Sequence, residues 1–109
     1  MGDRANIIIT QYENEPPVVI YSHWGGTSII NSEVVADAMD HARTRVGDPH
    51  YFTALFVEHL TKVGLISGIG TSMDDNEHPV TVINSMTGDR TMVTEAMARS
   101  VISDGLVVV

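Results

Sequence analysis

Two short stretches hold side chains of the types that bind or transform small molecules. The first is His23-Trp24-Gly25-Gly26-Thr27-Ser28. An indole is a stacking platform, an imidazole is a hydrogen-bonding ring, and glycines let a backbone come close. Thr27 and Ser28 add hydroxyl donors. A helix starting shortly afterwards would supply unpaired N–H groups and a positive dipole end. A base could then stack on Trp24 while a phosphate sits on the turn. The second stretch is Asp74-Asp75-Asn76-Glu77-His78-Pro79. Its carboxylates and imidazole are metal ligands by type. It lacks the register and central glycine of an EF-hand, and zinc needs about four converging groups. His23, Asp75 and His78 would form a ligand set only if the two strand ends were neighbours. No metal or cofactor is therefore expected. The candidate ligand-binding residues are His23, Trp24, Gly25, Gly26, Thr27, Ser28, Asp75, Asn76 and His78. A structural reading stands beside each: Trp24 packing the sheet end on the helices, and residues 74–79 forming a solvated turn.

Other chemistry lacks its pattern. The chain has no cysteine, which removes thiolate nucleophiles, disulfides and cysteine zinc sites. It has no Gly-x-Ser-x-Gly elbow and no His-Glu-x-x-His helix. Gly68-Ile69-Gly70 lacks the third glycine and the helix of a dinucleotide fingerprint. His41 lies one helical turn from Asp37 and from Arg45, as on a solvated face. His59 falls on an apolar stripe and reads as a core histidine. No catalytic residue is assigned, and a non-enzymatic protein is expected.

These residues must be positioned by a small set of elements. "ANIIITQY" (5–12) is β-branched and strand-like. The prolines of "ENEPP" break it, and "VVIYSHW" (18–24) resumes as the second arm of a hairpin. Asn31 is a candidate helix cap. Val34, Val35, Ala38, Met39, Ala42 and Val46 follow at helical spacing, and Gly47 ends the helix. Asp48-Pro49 starts a second helix with Phe52, Leu55, Phe56, His59, Leu60 and Val63 on its apolar stripe, and Gly64 ends it. The two-residue link predicts an antiparallel helical hairpin. Residues 65–73, 80–84 and 90–94 read as strands, and 94–102 as a helix with Thr94 as its cap. The predicted fold is a single α+β domain over residues 1–109, with 85–109 a less defined tail. Its order is β-β-α-α-β-β: a two-layer antiparallel sheet covered on one face by the helical hairpin. Several strands are apolar on both alternations, so the tail or a second subunit must cover the other face. The apolar end Leu106–Val109 is expected to pair in the same way, and a homo-oligomer, a dimer or higher, is the expectation.

Charge narrows the partners. Fourteen acidic and six basic residues give a formal net charge of -8 among 109 residues. Nucleic-acid polymers are held mainly by Lys and Arg on phosphates. A chain with Lys62 and five arginines does not suit them. Neither polymeric nucleic acid nor a membrane is an expected partner, because no apolar run is long enough to span a bilayer. A cytoplasmic setting is expected, in the host cytoplasm if the chain is phage-encoded.

"IYSHWGG", the two-helix segment and "GIGTSMDDNEHPVTVIN" together resemble a group of short, uncharacterised proteins of actinobacteria and their phages. The resemblance spans roughly residues 4–84. It implies a small phage-type protein and brings no assigned activity. The leading expectation is a binding protein that sequesters a nucleotide-like signal of host defence, with Arg43, Arg45, Arg90 or Arg99 contacting phosphate. Two alternatives are a protein–protein modulator or structural phage component, and a small metal-dependent hydrolase centred on His23, Asp75 and His78.

Overall fold

β1 (Ala5–Thr10) is the centre around which the chain is arranged. Its run Ala5-Asn6-Ile7-Ile8-Ile9 is wholly shielded from solvent, as a strand covered on both faces must be. The computed structural model describes residues 3–12, 15–31 and 33–104. The elements after β1 are β2 (Val18–Ser22), α1 (Gly26–Asn31), α2 (Val34–Ala42), α3 (Pro49–Lys62), β3 (Gly68–Gly70), β4 (Val80–Asn84), β5 (Arg90–Val93) and α4 (Glu95–Asp104). A 3-10 turn, Arg43–Arg45, joins α2 to the α3 loop.

The sheet has five strands in the order β3-β2-β1-β4-β5. β1 and β2 form the expected hairpin, from Ala5 opposite Ser22 to Ile9 opposite Val18. β4 and β5 form a second, from Val80 opposite Val93 to Ile83 opposite Arg90. The all-antiparallel expectation is corrected at the centre. β1 and β4 are parallel, with Ile7 opposite Thr81 and Thr10 opposite Asn84. The cause is connectivity. The chain leaves β2 through three helices, returns on the outer edge as β3, and crosses the sheet end through residues 74–79 before entering β4. Hairpin turns alone would have kept neighbouring strands antiparallel.

The expected single covering layer is also corrected. On one face, Ile7, Ile9, Ile20 and Ile83 pack against Val35, Ala38 and Ala42 of α2 and Phe52, Phe56 and Leu60 of α3. On the other, Ile8, Val19, Val80, Val82 and Val93 pack against Ala98 and Val101 of α4, with Ile102 alongside. The tail thus covers much of the second face with its own helix. Thr94 caps that helix by accepting the Met97 N–H at 3.3 Å. The apolar end Leu106–Val109 lies outside the described residues. No helix among the described residues is long and apolar enough to cross a membrane.

Two helix boundaries differ from expectation. Residues 26–31 are already helical as α1, and α2 begins only after Glu33. Burial of Ile29, whose N–H reaches the Gly25 carbonyl at 2.9 Å, favours that earlier turn. Val46 leaves the predicted stripe because the helix tightens into the 3-10 turn before it, and it is left exposed. Gly47, at φ 92°, occupies the left-handed region open mainly to glycine.

Candidate functional site

Asp3, just ahead of β1, ties the two candidate stretches together. Its Oδ1 accepts a hydrogen bond from His78 Nε2 at 2.6 Å. Its Oδ2 accepts the Thr27 N–H at 2.8 Å. Its carbonyl accepts the Gly26 N–H at 2.7 Å, and its own N–H reaches the His23 carbonyl at 3.0 Å. A carboxylate only accepts, so the His78 proton in this bond resides on Nε2. Parallel pairing of β1 with β4 is what makes the clasp possible, because both strands begin at the same end of the sheet.

Glycine is required at position 26 by this closeness. A Cβ there would lie 2.5 Å from the Asp3 carbonyl oxygen and 2.7 Å from His78 Cδ2. Gly25 is also buried. Its N–H donates to Ser22 Oγ at 3.0 Å, and Leu65 packs against it. The three amides nearest the turn, where a phosphate would sit, are therefore engaged: Gly25 by Ser22, and Gly26 and Thr27 by Asp3. Thr27 and Ser28 themselves are exposed on α1.

The 74–79 loop is anchored on β1. Asn76 Oδ1 accepts the Asn6 N–H at 3.0 Å and Asn6 Nδ2 at 3.1 Å, and Asn76 Nδ2 donates to the His78 carbonyl. Asn6 is fully buried, and its amide also points at the Asp74 carbonyl, 3.3 Å away. Arg4 Nε meets Glu77 at 2.9 Å, and its guanidinium lies 3.8 Å from Asp75. The Asp75 carboxylate is otherwise exposed. Asn76 and His78 also line a crevice of about 510 Å³ between this loop and Met92–Glu95.

His23 and Trp24 turn the other way. Tyr21 and the His23 ring share a hydrogen bond of 2.7 Å between the phenol oxygen and Nδ1. The His23 N–H donates to Ser67 Oγ at 2.9 Å. Its ring stands edge-on to the Trp24 indole, centroids 4.4 Å apart. Trp24 is 68% exposed, so the packing role considered for it in the sequence does not apply. His23 and His78 meet only through Asp3, and His23 takes part with its carbonyl rather than its ring. Among the described residues no group of three or more His, Cys, Asp or Glu side chains could hold a metal ion. His23, Asp75 and His78 do not form a ligand set.

Sequence reasoning missed Asp3, Tyr21, Arg4, Asn6 and Ser67. Tyr21 had a readable signal, since it shares a strand face with His23 at period two. Asp3 had none, because its role depends on the parallel β1–β4 register.

The Asp3 carboxyl is held below its ordinary value, first by the His78 hydrogen bond and then by the Thr27 N–H. A depressed carboxyl contributes stability that is full above the unfolded aspartate value and is lost as pH falls through the lower folded value. Asp3→Asn is therefore expected to flatten the acid limb of stability below about pH 5. Urea unfolding across that range checks this. An unchanged acid limb would show that the clasp does not form in solution.

Comparison with family models, curated proteins and solved structures found no match for this chain.

Proposed function

We propose that this chain is a small non-enzymatic binding protein that captures a planar, nucleobase-like ligand on the Trp24 rim. The observation that carries the reading is the 68% exposure of the only tryptophan, beside a histidine fixed from two sides. Tyr21 holds the imidazole, and Ser67 holds the His23 backbone. The indole meets the His23 ring on one side and is otherwise largely exposed, which leaves surface on which a ligand ring can stack. Base stacking on an aromatic side chain is worth about 1–3 kcal/mol.

Recognition on this reading rests on the ring rather than on a phosphate. The Gly26 and Thr27 amides serve Asp3, whose carboxylate would repel an anion placed on the turn. The role we assign is sequestration of a nucleotide-like signal, and the phage-type resemblance directs the test to cyclic and linear nucleotides. Calorimetry of the purified chain against that panel is expected to give saturable heat. Trp24→Ala is expected to weaken binding about tenfold or more, while stability changes by no more than about 0.5 kcal/mol. Absence of heat from every nucleotide would contradict the reading. Recovery of a stoichiometric protein partner alongside such a blank would favour a protein–protein modulator.

A further inference from the structure

The arginines are not where a nucleotide-binding rim would place them. Arg4, Arg43 and Arg99 are paired with carboxylates. Arg45 lies over the Tyr51 ring, 4.1 Å from its centroid. The Arg90 side chain has no ion pair or hydrogen-bonded partner among the described residues. Cross-strand pairing with Ile83 turns Arg90 toward the face that carries α2 and α3. The helices stop short of β5 on that face. A groove of about 610 Å³ remains, with Ala36, Met39 and Val46 as its apolar wall and Arg43 and Arg90 on it.

Its end is fixed. The Gly47 N–H donates to the Ser85 carbonyl at 3.0 Å, binding the α3 loop to the end of β4. Val46 packs on the turn at Gly88, where a Cβ would lie 3.3 Å from Val46 Cγ2 and φ is +81°. Among the described residues lining the groove Asp40 is the only acid, and it is paired with Arg43 at 3.3 Å. In a chain of net charge -8, an apolar groove with a surplus guanidinium is a local reversal of sign.

We propose that this groove binds a small organic anion with an apolar body, its carboxylate or phosphate head on Arg90 and its body along Ala36, Met39 and Val46. The volume falls within the ordinary range for small-molecule sites, roughly 300–1,000 Å³. A guanidinium pairs with either head group through two parallel N–H donors. The site is separate from the Trp24 rim and stands whether or not that rim binds a base.

Calorimetry with octanoate, octyl phosphate and octanol, each below its micelle threshold, tests the proposal. Either anion is expected to give saturable heat, and octanol is expected to bind at least about tenfold more weakly. Arg90→Gln should weaken the anion about tenfold, and Ala36→Phe, which fills the groove, should weaken it at least as much. Both sites are on the surface, so circular dichroism should show unchanged folding. Trp24→Ala should leave the affinity unaltered. The proposal is overturned if neither anion gives heat, if octanol matches them, or if Arg90→Gln binds like the parent.

Discussion

Phe56→Ala is expected to lower the unfolding free energy by about 3–5 kcal/mol, read as a fall in the urea midpoint. Phe56 has no exposed surface and lies nearly parallel to Phe52, ring centroids 6.2 Å apart at 20°. Both belong to the cluster formed by α3 with Ile7, Ile9 and Ile20. Removing the ring loses its transfer free energy and leaves a cavity that stiff β-branched neighbours cannot fill. A domain of this size has only about 5–15 kcal/mol in total, so the variant should be near the limit of folding at body temperature. The effect reaches the candidate site, since Leu65, whose N–H bonds the Leu60 carbonyl, backs Gly25. Tyr51→Ala on the exposed side of the same helix should cost under about 1 kcal/mol. Equal losses from the two substitutions would contradict the assigned face of α3.

Gly26→Ala is the second large effect. The added methyl would meet the Asp3 carbonyl oxygen at 2.5 Å and the Asp3 carbonyl carbon at 3.0 Å. These are backbone atoms entering the central strand, so the clash cannot be relieved by turning a side chain. The expected cost is about 1–3 kcal/mol. The His78 imidazole resonances should shift as its bond to Asp3 lengthens. Gly68→Ala is the contrasting control, because nothing lies within 4 Å of its added Cβ. Its stability should stay within about 0.5 kcal/mol of the parent. A Gly26→Ala protein as stable as the parent, with unshifted His78 signals, would mean that the Asp3 clasp is looser than described.

The elements were legible where local rules decide them. Asp48-Pro49 starts α3, Gly47 and Gly64 fall at positive φ, and the apolar stripe of α3 is buried at Phe52, Phe56 and Leu60. Strands apolar on both alternations showed that both sheet faces must be covered, and α4 covers much of the second. What could not be read was the parallel β1–β4 pair. Strand order depends on where a long connection returns, and no turn residue records that. The same gap hid the clasp. Nothing local in Asp3 announces a bond to His78, 75 residues away. Gly26 was visible as a residue that lets the backbone approach, but the approaching group is the chain's own Asp3 and not a ligand. Asn31 failed as a helix start because burial of Ile29 outweighed a capping preference of about 1 kcal/mol.

Trp24 and His23 carry the proposed ligand-binding reading for a reason that the sequence only half contained. Strand periodicity puts Tyr21 and His23 on one side, and their hydrogen bond immobilises the imidazole. Asp75, Asn76 and His78 act on a different level. They hold the sheet end together through Arg4, Asn6 and Asp3, so changes there should alter stability more than ligand choice.

On the proposed function the indole on the rim is the ligand's stacking surface, and its emission reports on that directly. Titration of the purified chain with cyclic and linear nucleotides should give a saturable change in Trp24 fluorescence for at least one of them, with a midpoint matching the calorimetric affinity. Emission that stays flat across the whole panel would contradict the account.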